Sequence, residues 1–278
     1  MRAYGIVAPL LGIVAQHGRH GDGNRMLGKF FRSQRYKMLK RAVKINNRLV
    51  DLRAKAAVVA TGFAPFDEIA KHAGKRSDIN EHLATLFVET LAARPKLIVE
   101  LGVRGGESTF AFERAAALTG AKLVSVDIED CTNASRYPGW MFVKSDDVAF
   151  AAQFPAWCRA RGIEPRVDVL FIDSSHLFEH TVQEIDSWFP HLSPRAKVFF
   201  HDTNLKQLYF RKDGSWAIGW DNQRGVIAAI ERFFGARFDE TVEFVDFRKG
   251  WIIRHDPWCA GLTILDRVLN GQPAAASA

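Results

Sequence analysis

The chain is poor in cysteine, methionine and tyrosine, and it has no long unbroken apolar run. Only Cys131, Cys158 and Cys259 occur in 278 residues. They lie far apart, with no C-x-x-C and no Cys/His cluster, which argues against a disulfide framework or a thiolate zinc site. That usage fits a reducing compartment, so a cytoplasmic location is expected. The apolar stretch AYGIVAPLLGIVA at 3–15 contains two glycines and a proline. It is shorter than the roughly twenty residues that a bilayer span needs. Only Arg2 precedes it as a basic flank, and no convincing cleavage site follows, so a secretory leader is not expected. Acids are scarce in one region: between Gln16 and Lys55, twelve Lys/Arg face only Asp22 and Asp51. The whole chain has a formal net charge of +7, so the remainder is close to neutral or slightly acidic. A basic arm on such a body argues against nucleic-acid binding. A GxGxxG dinucleotide fingerprint is also missing, which counts against a nicotinamide-dependent dehydrogenase.

What is present is a strand–helix alternation. After a glycine-rich break at 18–24, residues 25–55 read as a basic helix with a ragged apolar stripe through Phe30, Phe31, Met38, Leu39, Val43 and Leu49. This helix either packs on the domain or on a second subunit, or docks on an anionic membrane. Asp78 and Glu81 carry a capping-box spacing ahead of the helix LATLFVETLAA. Five apolar strands follow, LIVEL, LVSVDI, WMFVKS, VDVLFID and AKVFFHD, with helices between them. Near-continuous apolar strands alternating with helices imply a parallel sheet covered on both faces. VEFVDF (242–247) and GWIIRH (250–255), joined by Arg248 and Lys249, predict a closing antiparallel hairpin. The tail GQPAAASA is expected to be disordered. Residues 1–60 are therefore an N-terminal apolar segment and basic helical extension, and 61–278 the catalytic domain.

The functional grammar sits at the strand ends. LIVELGVRGGEST (97–109) is a buried strand running into a glycine-rich turn, and VSVDI (124–128) is a second strand ending in Asp127. A nucleotide-type ligand binds at such neighbouring carboxyl ends, with the second-strand acid on its ribose. Glu100, Gly102, Val103, Arg104 and Gly105 form the turn. Ser108 and Thr109, at the helix N-terminus, are placed to meet an anion. Ser145 and Asp146 follow the third strand. Asp173 and Asp202 end the fourth and fifth strands, with His176 and His201 beside them. Hard oxygens from adjacent strand ends suit a divalent cation, and a nearby imidazole suits general-base work. His180, His191 and His255 have no comparable company and read as structural. Tyr209, Phe210, Trp216 and Trp220, interleaved with Lys206, Arg211 and Lys212, read equally as an aromatic wall over the site or as packing against a partner.

Five parallel strands closed by a hairpin, together with these motifs, resemble the class I S-adenosylmethionine-dependent methyltransferases. The resemblance implies a doubly wound α/β, Rossmann-like, seven-stranded sheet in the order 3-2-1-4-5-7-6. Arg104 stands where that family's acid-x-Gly-x-Gly-x-Gly pattern has its middle glycine. FIDSSH (171–176) with FFHDT (199–203) resembles the metal-dependent O-methyltransferases of macrolide sugars, the macrocin and mycinamicin group, whose relatives were named cephalosporin hydroxylases. This likeness covers roughly 77–255. It implies S-adenosyl-L-methionine bound through Glu100, Gly102, Val103, Arg104, Gly105, Ser108, Thr109, Asp127, Ser145, Asp146 and Asp173. It implies Asp173, His201 and Asp202 as ligands of a divalent metal, Mg²⁺ with Mn²⁺ or Fe²⁺ as alternatives, and His176 as the base. The acceptor implied is a hydroxyl of a sugar or other small natural product, and relatives of this type self-associate. A metal-dependent hydroxylase and a non-catalytic module recruited through the basic arm are the rival readings.

Overall fold

The computed structural model describes residues 22–53, 60–219 and 223–268, with side chains described from Ser33 onward and not at Arg53. The apolar segment at 3–15, Trp220 and the C-terminal tail lie outside the described residues. The chain divides into two compact units, 1–45 and 46–278. Helix α1 (Asp22–Arg53) supplies the described part of the first and continues into the second. No helix among the described residues is long and apolar enough to cross a membrane.

The second unit is built on one eight-stranded sheet. Its parallel half comprises β1 (Leu97–Leu101), β2 (Lys122–Asp127), β3 (Trp140–Lys144), β4 (Val167–Ile172) and β5 (Leu192–His201). After a separate two-stranded pair, β6 (Tyr209–Phe210) and β7 (Trp216–Ala217), the antiparallel remainder comprises β8 (Phe244–Arg248), β9 (Trp251–Asp256) and β10 (Leu262–Arg267), giving the order β3-β2-β1-β4-β5-β10-β9-β8. The doubly wound arrangement is as expected, but there are eight strands, not seven. β8 and β9 do form the expected hairpin. β10 then inserts between β9 and β5, pairing Asp266 with Lys197 and Leu265 with Val198. Polar residues hide this strand from a periodicity reading, because their partners are distant in sequence. Lys197 is buried between Glu89 and Asp266, and Arg254 from β9 grips both acids.

Strand period two explains the two cores. On β4 and β5, Leu170, Ile172, Val198 and Phe200 face one side. There they meet helices α5 (Asp147–Arg159), α6 (Phe178–Trp188) and α7 (Gly225–Phe234), with Trp188 and Phe154 fully buried. Val169, Phe171 and Phe199 face the other side. They pack on α2 (Ala64–Ala73), α3 (Leu83–Ala93) and α4 (Glu107–Thr119), where Phe87 and Phe112 fill the layer. Truncating one of these aromatics to alanine costs about 3–5 kcal/mol. β1 is buried at all five positions and lies where the order reverses, with β2 on one side and β4 on the other. Ligands bind such open sheets beyond the strand ends at that switch point.

Asp78 and Glu81 do not cap a helix as their spacing suggests. A 3-10 turn at Asn80–His82 intervenes before α3, and the residue preceding α3, His82, makes no side-chain cap. Asp78 instead pairs with Arg104, and Glu81 accepts from the Lys212 amide at 2.8 Å.

Candidate active site

The turn after β1 brings three strands together. Gly102 has φ of +88°, and a Cβ there would lie 2.2 Å from the Asp173 carbonyl oxygen, so only glycine lets β1 and β4 end this close. Its amide bonds the Val126 carbonyl at 2.9 Å, and the Asp173 amide bonds the Leu101 carbonyl at 2.9 Å. The strand ends are thereby tied together around a cavity of about 710 Å³, a size suited to a nucleotide-type ligand.

At one end of this cavity lies Asp127. Its Oδ2 accepts from the amides of Val103 (2.8 Å) and Arg104 (3.0 Å), and Oδ1 from that of Glu129 (2.8 Å). Burial would raise its pKa, but these amides hold it below the usual carboxylate value. Arg104 keeps a left-handed φ of +46° in this turn. Ile128, two-thirds exposed, and Leu177, over half exposed, are apolar groups in the same wall.

Glu100 does not reach the wall. It is fully buried and accepts from Ser108 Oγ (2.6 Å), Thr109 Oγ1 (2.9 Å) and Ser125 Oγ (2.6 Å). Trp140 Nε1 in turn donates to Ser125 Oγ at 2.8 Å. Burial pushes Glu100 up to about 7 despite these hydroxyls. The expectation that Glu100 and Thr109 touch the ligand is corrected accordingly. A carboxylate in the central strand needs donors, and the first turn of α4 supplies the nearest ones. Ser108 still edges the cavity, whereas Thr109 is wholly buried.

Ser145, Asp146 and Asp147 line the side of the cavity beyond β3. Asp146 caps α5, accepting from the Ala149 amide at 2.8 Å. Asp147 is buried and meets His180 Nε2 at 2.9 Å, which raises the His180 pKa against the effect of its burial. His180 is therefore a cavity residue, not the merely structural group its isolation in sequence suggests. Behind it, buried Glu184 accepts from Ser174 Oγ at 2.7 Å, and burial with nearby Asp147 drives its pKa well up.

On the other side of β1 from Asp127, beyond the ends of β4 and β5, four groups converge. His201 Nδ1 lies 3.2 Å from Asp173 Oδ1 and 3.3 Å from Asp202 Oδ1. His176 Nδ1 lies 3.1 Å from Asp202 Oδ2 and 3.9 Å from Asp173 Oδ1. Burial alone would lower the His201 pKa, yet the charges of Asp202 and Asp173 push it up to about 10. His176 and Asp202 both hold left-handed φ angles, 60° and 56°, a costly conformation for such residues that concentrates at functional sites. Gly225 makes room for the first of these, because a Cβ there would sit 2.3 Å from the His176 carbonyl oxygen.

The potential ligand atoms of Asp173, His201 and Asp202 all lie within 4.8 Å of one another. Two carboxylates and one imidazole at that spacing fit a divalent cation. His191 and His255 behave as structural groups, bonding the Ala151 and Glu240 carbonyls. Among the described residues, Tyr209, Phe210 and Trp216 do not line the cavity. Tyr209 is buried, Arg211 bonds the Ser77 carbonyl, and the backbone of Trp216 exchanges hydrogen bonds of 2.9 Å with Asn47 of α1. Asp78 was missed as a wall residue because it precedes α3 and obeys no strand-end rule. Ile128, directly after Asp127, was within reach of that rule.

Residues 99–203 match the family of methyltransferase domains. That stretch of the chain is similar to methyltransferase domains. The match takes in Gly102, Asp127, Asp173 and Asp202 of the cavity wall, and the sheet order is the expected one with β8 added at the edge. An uncharacterized protein of Sinorhizobium fredii, y4gI, is 30% identical over 138 residues, covering 45% of this chain and 15% of that protein. The chain thus spans a small part of the length of this curated relative. Among solved structures, MycE methyltransferase from the mycinamycin biosynthetic pathway, in complex with Mg and SAH, is 12% identical with a TM-score of 0.49, covering 77% of this chain and 57% of MycE. An O-methyltransferase from Bacillus cereus in complex with SAH is 10% identical with a TM-score of 0.48, covering 81% and 97%.

Proposed function

We propose that this chain is a methyltransferase acting on oxygen, transferring the methyl group of S-adenosyl-L-methionine to a hydroxyl of a small, oxygen-rich acceptor such as a sugar or glycosylated natural product, with a divalent ion at Asp173, His201 and Asp202. One observation carries this reading: Asp127, at the end of β2, and Asp173, His176 and Asp202, beyond β4 and β5 on the other side of β1, line a single cavity. When bound, the donor supplies an electrophilic methyl, and the ion lowers the pKa of a hydroxyl oxygen. The residues of the chain do the rest. Asp127, Val103 and the Gly102–Gly105 turn hold the nucleoside, with Ile128 against the base. Ser145 and Asp146 border the same end. Asp202 orients the His176 ring through Nδ1, and His176 takes the hydroxyl proton as the methyl transfers. Placing the two reactants in one enclosed cleft is itself a large part of the rate.

His201 holds its proton strongly between the two acids, and a cation would replace that proton at Nδ1. Metal affinity therefore falls as pH drops. One imidazole with two carboxylates favours this reading over the hydroxylase alternative, which calls for two imidazoles and one carboxylate. Calorimetry with S-adenosylhomocysteine, then an acceptor screen with radiolabelled donor with and without chelator, tests the proposal. Turnover that persists in chelator removes the metal, and failure to bind the donor product removes the whole reading.

The exposed Arg35, Lys37, Lys40, Arg41 and Lys44 of α1 support a peripheral contact with anionic lipid, checked by salt-sensitive liposome sedimentation. Self-association, checked by light scattering, and a cytoplasmic location, which the three free cysteines suit, complete the reading. No nucleic acid takes part.

A further inference from the structure

The turn after β1 leaves one requirement of the donor unmet. S-adenosylmethionine ends in an amino acid, with an ammonium and a carboxylate on one carbon. The hydroxyls at the start of α4 that would ordinarily receive this carboxylate are turned inward, Ser108 and Thr109 both donating to Glu100. Glu100 itself is sealed from the cavity. Another group of the wall has to recognise the zwitterion.

The geometry points to the ion pair of Arg104 and Asp78 as that group: the guanidinium receives the donor's carboxylate and Asp78 receives its ammonium. Both residues line the cavity. Arg104 is anchored at its root, because its own amide is bonded to Asp127 at 3.0 Å. The side chain therefore starts beside the proposed ribose site and extends away from it to Asp78, ahead of α3. A nucleoside held by Asp127 places its amino-acid arm within the span of these two residues.

The chemistry matches in sign and shape. A guanidinium offers a planar fork of donors that fits a carboxylate. Asp78 offers an acceptor-only carboxylate, which fits an ammonium. Two opposite charges on the protein meet two opposite charges on the ligand, so no net charge is left behind. The pair is also easily rearranged. The Arg104 side chain is 78% exposed and that of Asp78 35%, and ion pairs of this exposure contribute little to stability. Exchanging one partner for another in the same cleft thus costs little. This also explains why the turn holds an arginine at a left-handed φ of +46°, where glycine would be the unstrained choice.

The inference rests on the reading that the cavity binds S-adenosylmethionine, and one set of titrations separates the two. S-adenosylhomocysteine carries the amino acid, whereas methylthioadenosine keeps the nucleoside and the sulfur but lacks it. Calorimetry on the full chain with both ligands should show Arg104→Gln weakening S-adenosylhomocysteine about ten- to hundredfold, with methylthioadenosine unchanged within about twofold. Asp78→Asn should weaken S-adenosylhomocysteine while leaving its desamino analogue, which lacks the ammonium, unaffected. Equal loss for all ligands would overturn the proposal, because the residues would then only shape the pocket. Unchanged affinity for S-adenosylhomocysteine in both variants would overturn it too. Wild-type protein that binds methylthioadenosine but gains nothing from the amino acid defeats this inference alone. Wild-type protein that binds neither defeats the donor reading and this subsite with it.

Discussion

The two ends of the cavity are built on different principles. At the Asp127 end the contacts are made by backbone: three amides fix one carboxylate, and the amides belong to a turn and a strand end that are neighbours in the sheet. At the Asp202 end the contacts are between side chains, two acids and two imidazoles whose charges hold one another. The first arrangement is a socket of backbone amides that keeps its carboxylate charged below the usual range. The second is an electrostatic balance that one substitution or one cation rearranges. Under the proposed function, binding and chemistry fall to structurally different materials, and substitutions should separate them.

The largest effect is expected at the side-chain end. His176→Ala should lower kcat by about 10²–10⁴-fold, with S-adenosylhomocysteine affinity unchanged within about twofold. An equal loss of donor affinity would show that the two ends do not act separately. Next comes the residue that joins them. Gly102→Ala places a methyl against the Asp173 carbonyl and forces a left-handed alanine, so unfolding should shift by about 3–5 kcal/mol, read as a fall in Tm. An unchanged Tm would mean that the strand ends part easily.

Glu100 gives a smaller, pH-dependent effect. Its folded pKa, pushed up to about 7 by burial from an ordinary 4.5, means that the folded chain binds this proton more tightly than the unfolded one. The associated stability is fully present below about 4.5 and is lost as pH rises through 7. Glu100→Gln should flatten this dependence, removing up to about 3 kcal/mol of the stability difference between acid and neutral pH, as followed by denaturant melts. The smallest effect belongs to Phe210→Ala, at a half-exposed ring outside the cavity. It should leave KM for donor and acceptor within about twofold, and a larger change would restore the aromatic connection to the site.

The same contrast governs what can be read from the amino-acid sequence. Asp127, Gly102, Asp173 and Asp202 were legible because strand ends in a parallel sheet are local features with a known direction. The five parallel strands were legible because burial on both faces makes their sequences continuously apolar. β10 was not, since Lys197 of β5 and Arg254 of β9, which satisfy Asp266 and Glu89 together, come from other strands. The inward turn of Ser108 and Thr109 was hidden for the same reason: it depends on Glu100 being sealed beneath α4. His180 looked isolated because its partner, Asp147, is 33 residues away. Side-chain pairing across elements is what sequence spacing does not display.

The central claim is that one cavity holds the methyl donor through Asp127 and carries out the chemistry at its other end. Calorimetric titration of S-adenosylhomocysteine into wild-type and Asp127→Ala protein tests it most directly. The account predicts one-to-one binding to the wild type, weakened about ten- to hundredfold by the substitution. Equal affinity in the two proteins, or no binding to the wild type, would contradict it.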